Sequence, residues 1–185
     1  MIAQLDTKTV YSFMDSLVSI KKYVEKAKEF GYSHLGIMDM DNLYGAYHFL
    51  EETKVAGIQG LLGLDLNLVK DGQALSLRLL AINSQGYRNL MKVSTLIMLD
   101  KKEWSYIQHL MQGLALIVPA YPGIDDLDLG KDYYIGVSPT TPLQDFSRPT
   151  LPLYTVRYFD TGDLETLQML RAIRENVSLR EVGDL

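Results

Sequence analysis

An α/β fold built on a mainly parallel sheet is predicted by three features of the sequence. Short apolar runs alternate with helical patterns through the first half, giving a βαβα rhythm. The strand candidates are apolar enough to be covered on both faces, as in parallel sheets flanked by helices. Two aspartates, Asp39 and Asp41, stand where the run LGIMDMDNLYGA passes from strand to helix, and carboxylates at strand tips belong to architectures that place their chemistry there.

In chain order, the apolar run IAQL is followed by a helix from about Ser16 to Phe30, whose stripe of Leu17, Ile20, Val24 and Ala27 faces a core. Its lysines Lys21, Lys22, Lys26 and Lys28 read as a solvated face. The strand HLGIMD leads to a helix near Tyr44 to Val55, with Asp41 or Asn42 available as its cap. IQGLLGLDLNLV and LSLRLLAIN flank the turn KDG, Lys70 to Gly72, and form a hairpin. SQGYRNLMKVSTLIML resumes helical periodicity, followed by a short helix at WSYIQHLMQ and the strand LALIVPA. The segment from Tyr121 to Pro152 is the least regular: all six prolines fall between Pro119 and Pro152, with one short strand expected at DYYIGV. The chain closes with a strand at PLYTVRYF and a helix from about Asp163 to Glu175. An open doubly wound sheet and an irregular barrel both fit this order, and either puts ligands at strand C-terminal ends. The residues to inspect are therefore Asp6, Lys8, Asp39, Asp65, Pro119 to Tyr121, and Arg157.

At 185 residues and 47% apolar side chains, one compact domain over residues 1–185 is expected. No run of about 18 apolar residues and no leader pattern at Met1 occurs, so the cytoplasm is the default expectation. The absence of cysteine excludes disulfides, thiolate zinc sites and a cysteine nucleophile. A net charge of −5 argues against this chain gripping a nucleic-acid backbone by itself. His34 begins a strand, the wrong end for a barrel site, while His48 and His109 fall on helical segments. No HExxH, GxSxG or glycine-rich phosphate loop occurs.

Five stretches in order, YSFMDS, LGIMDMDNLYGA, GIQGLLGLDL, LLAINSQGYRNLMKVST and LPLYTVRYF with the helix behind it, resemble the PHP (polymerase and histidinol phosphatase) domain at the N-terminus of the bacterial DNA polymerase III alpha subunit. The GYRNLMKVS piece is the most specific of them. The resemblance implies a distorted barrel of seven βα units with up to three metal ions at the strand tips, held mostly by histidines. Members with an intact cluster are phosphoesterases, some of them 3′ to 5′ exonucleases.

Aligned on those stretches, the family's opening histidine pair falls on Asp6 and Lys8, its aspartate–histidine step on Asp39 and Met40, and a ligating acid on Asp65. The late histidine corresponds to Tyr121, and the closing aspartate–histidine pair to Thr155 and Arg157. Lysine and arginine offer no lone pair, and a thioether is too soft for Mg or Mn. The expectation is thus a catalytically degenerate domain of a DNA-directed DNA polymerase (a nucleotidyltransferase) chain that continues past Leu185, with no catalytic residues or cofactor of its own. It would pack on the polymerase core of the same chain and meet other replisome proteins, with DNA handled by the full polymerase and no membrane involved. The alternative is a residual Mg- or Mn-dependent phosphoesterase or 3′ to 5′ exonuclease using Asp6, Asp39 and Asp65; a free-standing regulatory protein of the same fold is a third reading. Two structural expectations follow. Lys8 and Arg157 form salt bridges with Asp6, Asp39 and Asp65 where the metals would lie, and an apolar docking face is exposed around Tyr121 to Pro152.

Overall fold

The computed structural model describes residues 2–142 and 144–181, so the expected domain bounds of 1 and 185 fall outside the described residues. Strands β1 (Ala3–Gln4), β2 (Asp6–Thr7), β3 (His34–Met40), β4 (Gln59–Lys70), β5 (Gln73–Ala81), β6 (Leu114–Pro119), β7 (Tyr134–Val137), β8 (Thr150–Pro152) and β9 (Thr155–Val156) alternate with helices α1 (Ile20–Glu29), α2 (Ala46–Ala56), α3 (Ser84–Met98), α4 (Trp104–Ile107) and α5 (Asp163–Glu175).

Seven strands form one sheet in the order β1-β3-β4-β5-β6-β7-β8, and β2 pairs with β9 in a second, two-stranded sheet. Only Leu5 separates β1 from β2, and only Leu153 and Tyr154 separate β8 from β9. The two edge strands of the large sheet therefore run on into the small pair, and the β2–β9 ladder, Asp6 beside Thr155 and Thr7 beside Val156, closes the sheet into a distorted barrel. Closure removes the exposed sheet edges that would otherwise invite association. Gly36 makes the step at Leu5 possible: a Cβ there would lie 2.3 Å from the Leu5 carbonyl oxygen.

The pairings are parallel except around β5, which runs antiparallel to both β4 and β6. The reversal comes from the two-residue turn Asp71–Gly72, with φ of 51° and 77°, as a twist-matched hairpin requires. The core is continuous across the sheet and its helices, from Val24 and Phe49 through Leu64, Leu66, Leu77 and Leu79 to Leu90 and Leu116, all buried. The GYRNL stretch is fixed by packing and hydrogen bonds. Asn83 caps α3 by accepting from the Gly86 amide at 2.9 Å, and buried Asn89 donates to the Gln112 carbonyl at 2.8 Å. Gly86 itself sits so close to the Gly113 carbonyl that a side chain has no room.

Local boundaries differ from the sequence expectation in two places. The first helix begins at Ile20 rather than Ser16, because Ser16 donates to the backbone carbonyls of Lys8 and Arg157 and holds the preceding turn against β2 and β9. Neither Asp41 nor Asn42 caps α2, which begins at Ala46 behind Gly45; Asp41 instead adopts φ 61°, and Asn42 ties Met40 and Tyr11 together through its amide. The expected docking face is also misplaced. Around Tyr121 to Pro152 the exposed large apolar side chains are only Tyr121 and Tyr134 among the described residues, whereas Val10, Tyr11, Phe13 and Tyr44 lie exposed on the two loops that follow β2 and β3, and Tyr47 on the first turn of α2. Among the described residues no helix is long and apolar enough to cross a membrane.

Candidate functional site

Asp6 at the start of β2, Asp39 near the end of β3 and Asp65 midway along β4, level with Met40 of β3, are all buried. Lys8, immediately past β2, is completely buried, and its extended side chain turns inward rather than to solvent. Its ammonium lies 2.5 Å from Asp6 Oδ1 and 2.9 Å from Asp65 Oδ2. Arg78 completes the cluster from β5, with Nη1 2.6 Å from Asp65 Oδ1 and Nε 3.5 Å from Asp6 Oδ2. Thr155, the β9 partner of Asp6 across the closing ladder, donates its hydroxyl to Asp6 Oδ2 at 2.7 Å. Two carboxylates thus face two cations. Burial by itself would push the Asp6 carboxyl upward, but the charges of Lys8 and Arg78, with hydrogen bonds from Lys8 and Thr155, outweigh it and hold the group below its ordinary value.

Asp39 stands apart from this exchange. Its Oδ1 accepts from the Thr9 amide at 2.6 Å and the Ser12 hydroxyl at 2.7 Å, and its Oδ2 from the Thr9 hydroxyl at 2.7 Å. Three donors from the loop after β2 therefore satisfy a carboxylate expected to pair with a cation. The Ser12 oxygen also accepts from the Met40 amide at 3.1 Å, so the Asp39–Met40 step serves as the anchor of that loop.

Arg157 does not join Asp6, Asp39 and Asp65. Its Nε lies 3.1 Å from Oδ2 of Asp15, a nearly buried aspartate that sequence reasoning overlooked. Arg171 and Arg174, one helical turn apart on α5, reach Oδ1 of the same carboxylate at 3.3 and 3.0 Å. Three guanidiniums thus converge on one acid and tie α5 to the loop after β2. Burial opposes ionisation of Asp15 as well, yet Arg157, helped by Arg171 and Arg174, holds its carboxyl below the usual range. Tyr121, aligned with a late histidine, is half-exposed beside the β4–β5 hairpin near Asn67 and Ala74, away from the carboxylates. His34 begins β3, His48 pairs with Glu52 on the outer face of α2 at 3.5 Å, and His109 lies in a short turn of 3₁₀ helix.

Arg78 is the largest omission of the sequence reading, and a signal for it was present. Counting outward from the Asp71–Gly72 turn makes Asp65 and Arg78 cross-strand neighbours, as their observed register shows. An arginine inside LSLRLLA, opposite an aspartate inside LGLDLNL, is a buried pair waiting to be read.

A family model described as the PHP domain matches residues 4–134. The chain belongs to the PHP domain family. DNA polymerase III subunit alpha of Streptococcus pyogenes serotype M3 is 50% identical over 183 residues, which is 98% of this chain and 18% of that protein. The subunit of the same name from Staphylococcus epidermidis is 29% identical over 187 residues, covering 97% of this chain and 17% of its own length. The resemblance to the PHP domain of the alpha subunit is therefore borne out, and the chain spans less than a fifth of the length of these curated relatives. A solved structure from Bifidobacterium adolescentis, provisionally classed as a metal-dependent phosphoesterase, superposes with a TM-score of 0.51 over 95% of this chain and 84% of that one at 11% identity. That likeness is one of fold.

The metal cluster implied for this family does not fit the residues present. An ammonium bridges the two carboxylates that would be its ligands, and a guanidinium occupies the other side. Neither has a lone pair to give, and both repel a divalent ion. Among the described residues no group of three or more histidines and acids is arranged to hold a metal.

Proposed function

We propose that this chain is a catalytically degenerate PHP module of a DNA polymerase III alpha chain, in which a fixed ion-pair cluster stands where relatives with an intact site would bind metal. Its role in this reading is structural. The closed barrel is one part of a longer DNA-directed polymerase, packs on the polymerase core, and meets other replisome proteins, while DNA is handled by the remainder of the chain. The observation that carries the reading is the fully buried Lys8 ammonium between Asp6 and Asp65. Metal-assisted hydrolysis needs an ion with an open position to lower the pKa of a bound water. Here the carboxylates already have their counterions, and displacing a buried ammonium by a divalent ion would strand that ammonium in a dry site.

The test is hydrolysis of a phosphate monoester and of single-stranded DNA labelled at its 3′ end, with Mn, Zn or Mg added to metal-free protein. Turnover is expected to match the buffer control in every case. Activity that depends on added metal and disappears in Asp65→Asn protein would overturn this reading in favour of a residual phosphoesterase.

A further inference from the structure

On the outer flank of the barrel, toward the N-terminal ends of β1 and β3, a cavity of about 240 Å³ opens between α1 and the closing seam. It is lined mainly by apolar and aromatic side chains, among them Tyr23, Ala27, Phe30, Tyr32 and Phe159. Its wall is rigid: the Tyr23 ring lies between those of Phe49 and Phe159, with centroid separations of 6.3 and 6.4 Å. The Tyr23 hydroxyl is fixed by accepting from Thr7 and donating to the Gly36 carbonyl. The mouth, in contrast, is open and basic. Phe30 at the end of α1 is 68% exposed, and the ammoniums of Lys22 and Lys26 stand 5.4 and 5.6 Å from the centre of the Phe159 ring.

We propose that this cavity docks a short acidic peptide segment of a partner protein, with one aromatic side chain entering the pocket and the flanking carboxylates engaging Lys22 and Lys26. Size selects the kind of occupant. Cavities that hold small molecules commonly measure ~300–1,000 Å³, so this one suits a single side chain rather than a cofactor. Charge selects its sign. Lys22, Lys26 and Phe30 recur at intervals of four along one ridge of α1, whereas Glu25 and Glu29 belong to the neighbouring ridge. The carboxylate now before the lysines is that of Asp160, at 3.3 Å from Lys22 and 4.0 Å from Lys26, with its side chain 60% exposed. Exposed pairs of this kind contribute little to stability, so a partner's carboxylate can replace Asp160 without disrupting the fold. A partner aromatic ring would extend the stacked row of Phe49, Tyr23 and Phe159, an arrangement favoured beyond simple area burial.

The probe is a synthetic hexapeptide of five aspartates and a C-terminal 4-fluorophenylalanine, followed by ¹⁹F NMR, with fluorescence of a dye-labelled copy giving the dissociation constant. Saturable binding is expected, at least tenfold weaker for the peptide ending in alanine, and weaker again as salt rises. Lys22→Gln/Lys26→Gln protein should bind at least tenfold less tightly, as should Ala27→Leu protein, in which the added methyl groups fill the cavity. Each variant is first checked for parental circular dichroism; should Ala27→Leu protein fail to fold, the lysine double variant alone decides. No binding above the alanine control, equal binding of a peptide with lysines in place of aspartates, or unchanged affinity in the lysine double variant would each overturn the proposal. None of these outcomes depends on whether the strand-tip site hydrolyses phosphoesters.

Discussion

Asp6 and Asp15 bracket the same loop, and both are buried aspartates held by cations, yet their surroundings differ in balance. Around Asp6 and Asp65, Lys8 and Arg78 supply two positive charges for two negative ones, and Lys8 and both acids are almost wholly out of water. Around Asp15, three arginines answer one acid, and their side chains remain 17 to 30% exposed. The difference follows from the cost of desolvating charge. In the interior an unmatched ion is several kcal/mol unfavourable, so the inner cluster is neutral. At the clasp the arginines still reach water, which screens the surplus, and the excess of arginine is tolerable.

The sharpest way to break this comparison is Lys8→Met. It keeps the volume but leaves Asp6 and Asp65 sharing only Arg78, and breaking a buried pair in this way costs about 3–5 kcal/mol. Urea denaturation followed by circular dichroism measures it. Parent-like stability would mean that Lys8 is not a structural counterion at all. Adding Asp65→Asn to the same protein should recover part of the loss, because it removes the one negative charge left unmatched.

Acid should expose both clusters. The folded-state pKa values of Asp6 and Asp15 lie below the ordinary carboxylate value. Between each folded value and the unfolded one near ~3.9, the unfolded chain binds more protons, so stability falls as pH drops through that window. The contribution is fully present above about pH 5. Asp6→Asn protein should be destabilised relative to the parent at pH 7, and the gap in melting temperature should close as the pH falls below about 4. A gap that stays constant with pH would place the effect in packing rather than charge.

Arg157→Met is expected to cost less, about 1 kcal/mol, since Arg171 and Arg174 still reach Asp15 and water screens the site. A loss as large as that of Lys8→Met would erase the distinction between the two clusters. The smaller change should localise to the attachment of α5, and hydrogen exchange on that helix would show it.

How much of this arrangement was legible in the sequence depended on the range of the interaction. The alternation of strands and helices, the hairpin at Lys70 to Gly72 and the barrel expected from the resemblance are signals carried by neighbouring residues, and they appear in the structure. Lys8 was placed correctly against Asp6 and Asp65 because the aligned position fixes which strand tip it occupies. Arg157 was not, because which neighbour an arginine meets beyond a two-residue strand depends on how the next helix returns. Here α5 brings Arg171 and Arg174 to Asp15, and Arg157 joins them. Asp39 was misjudged for a related reason: a loop offering an amide and two hydroxyls satisfies a carboxylate as fully as a cation does, and nothing in YSFMDS states which way Thr9 and Ser12 face.

The smallest effect provides the control. Lys102 and Asp41 pair at 2.9 Å across the surface, with side chains 43% and 26% exposed, close to the same end of the sheet as the carboxylates. Such a pair contributes ~0.2–1 kcal/mol, and added salt weakens it because the charges are reachable by counterions within a Debye length of ~10 Å at 0.1 M. Lys102→Gln should therefore shift the urea midpoint slightly in dilute buffer, and the shift should vanish in 1 M NaCl, where screening reaches ~3 Å. The Lys8→Met loss should persist in the same salt, since counterions do not enter a site that excludes water. If both losses faded together, Lys8 would be accessible to solvent, and the inner cluster would be another surface pair rather than a buried one.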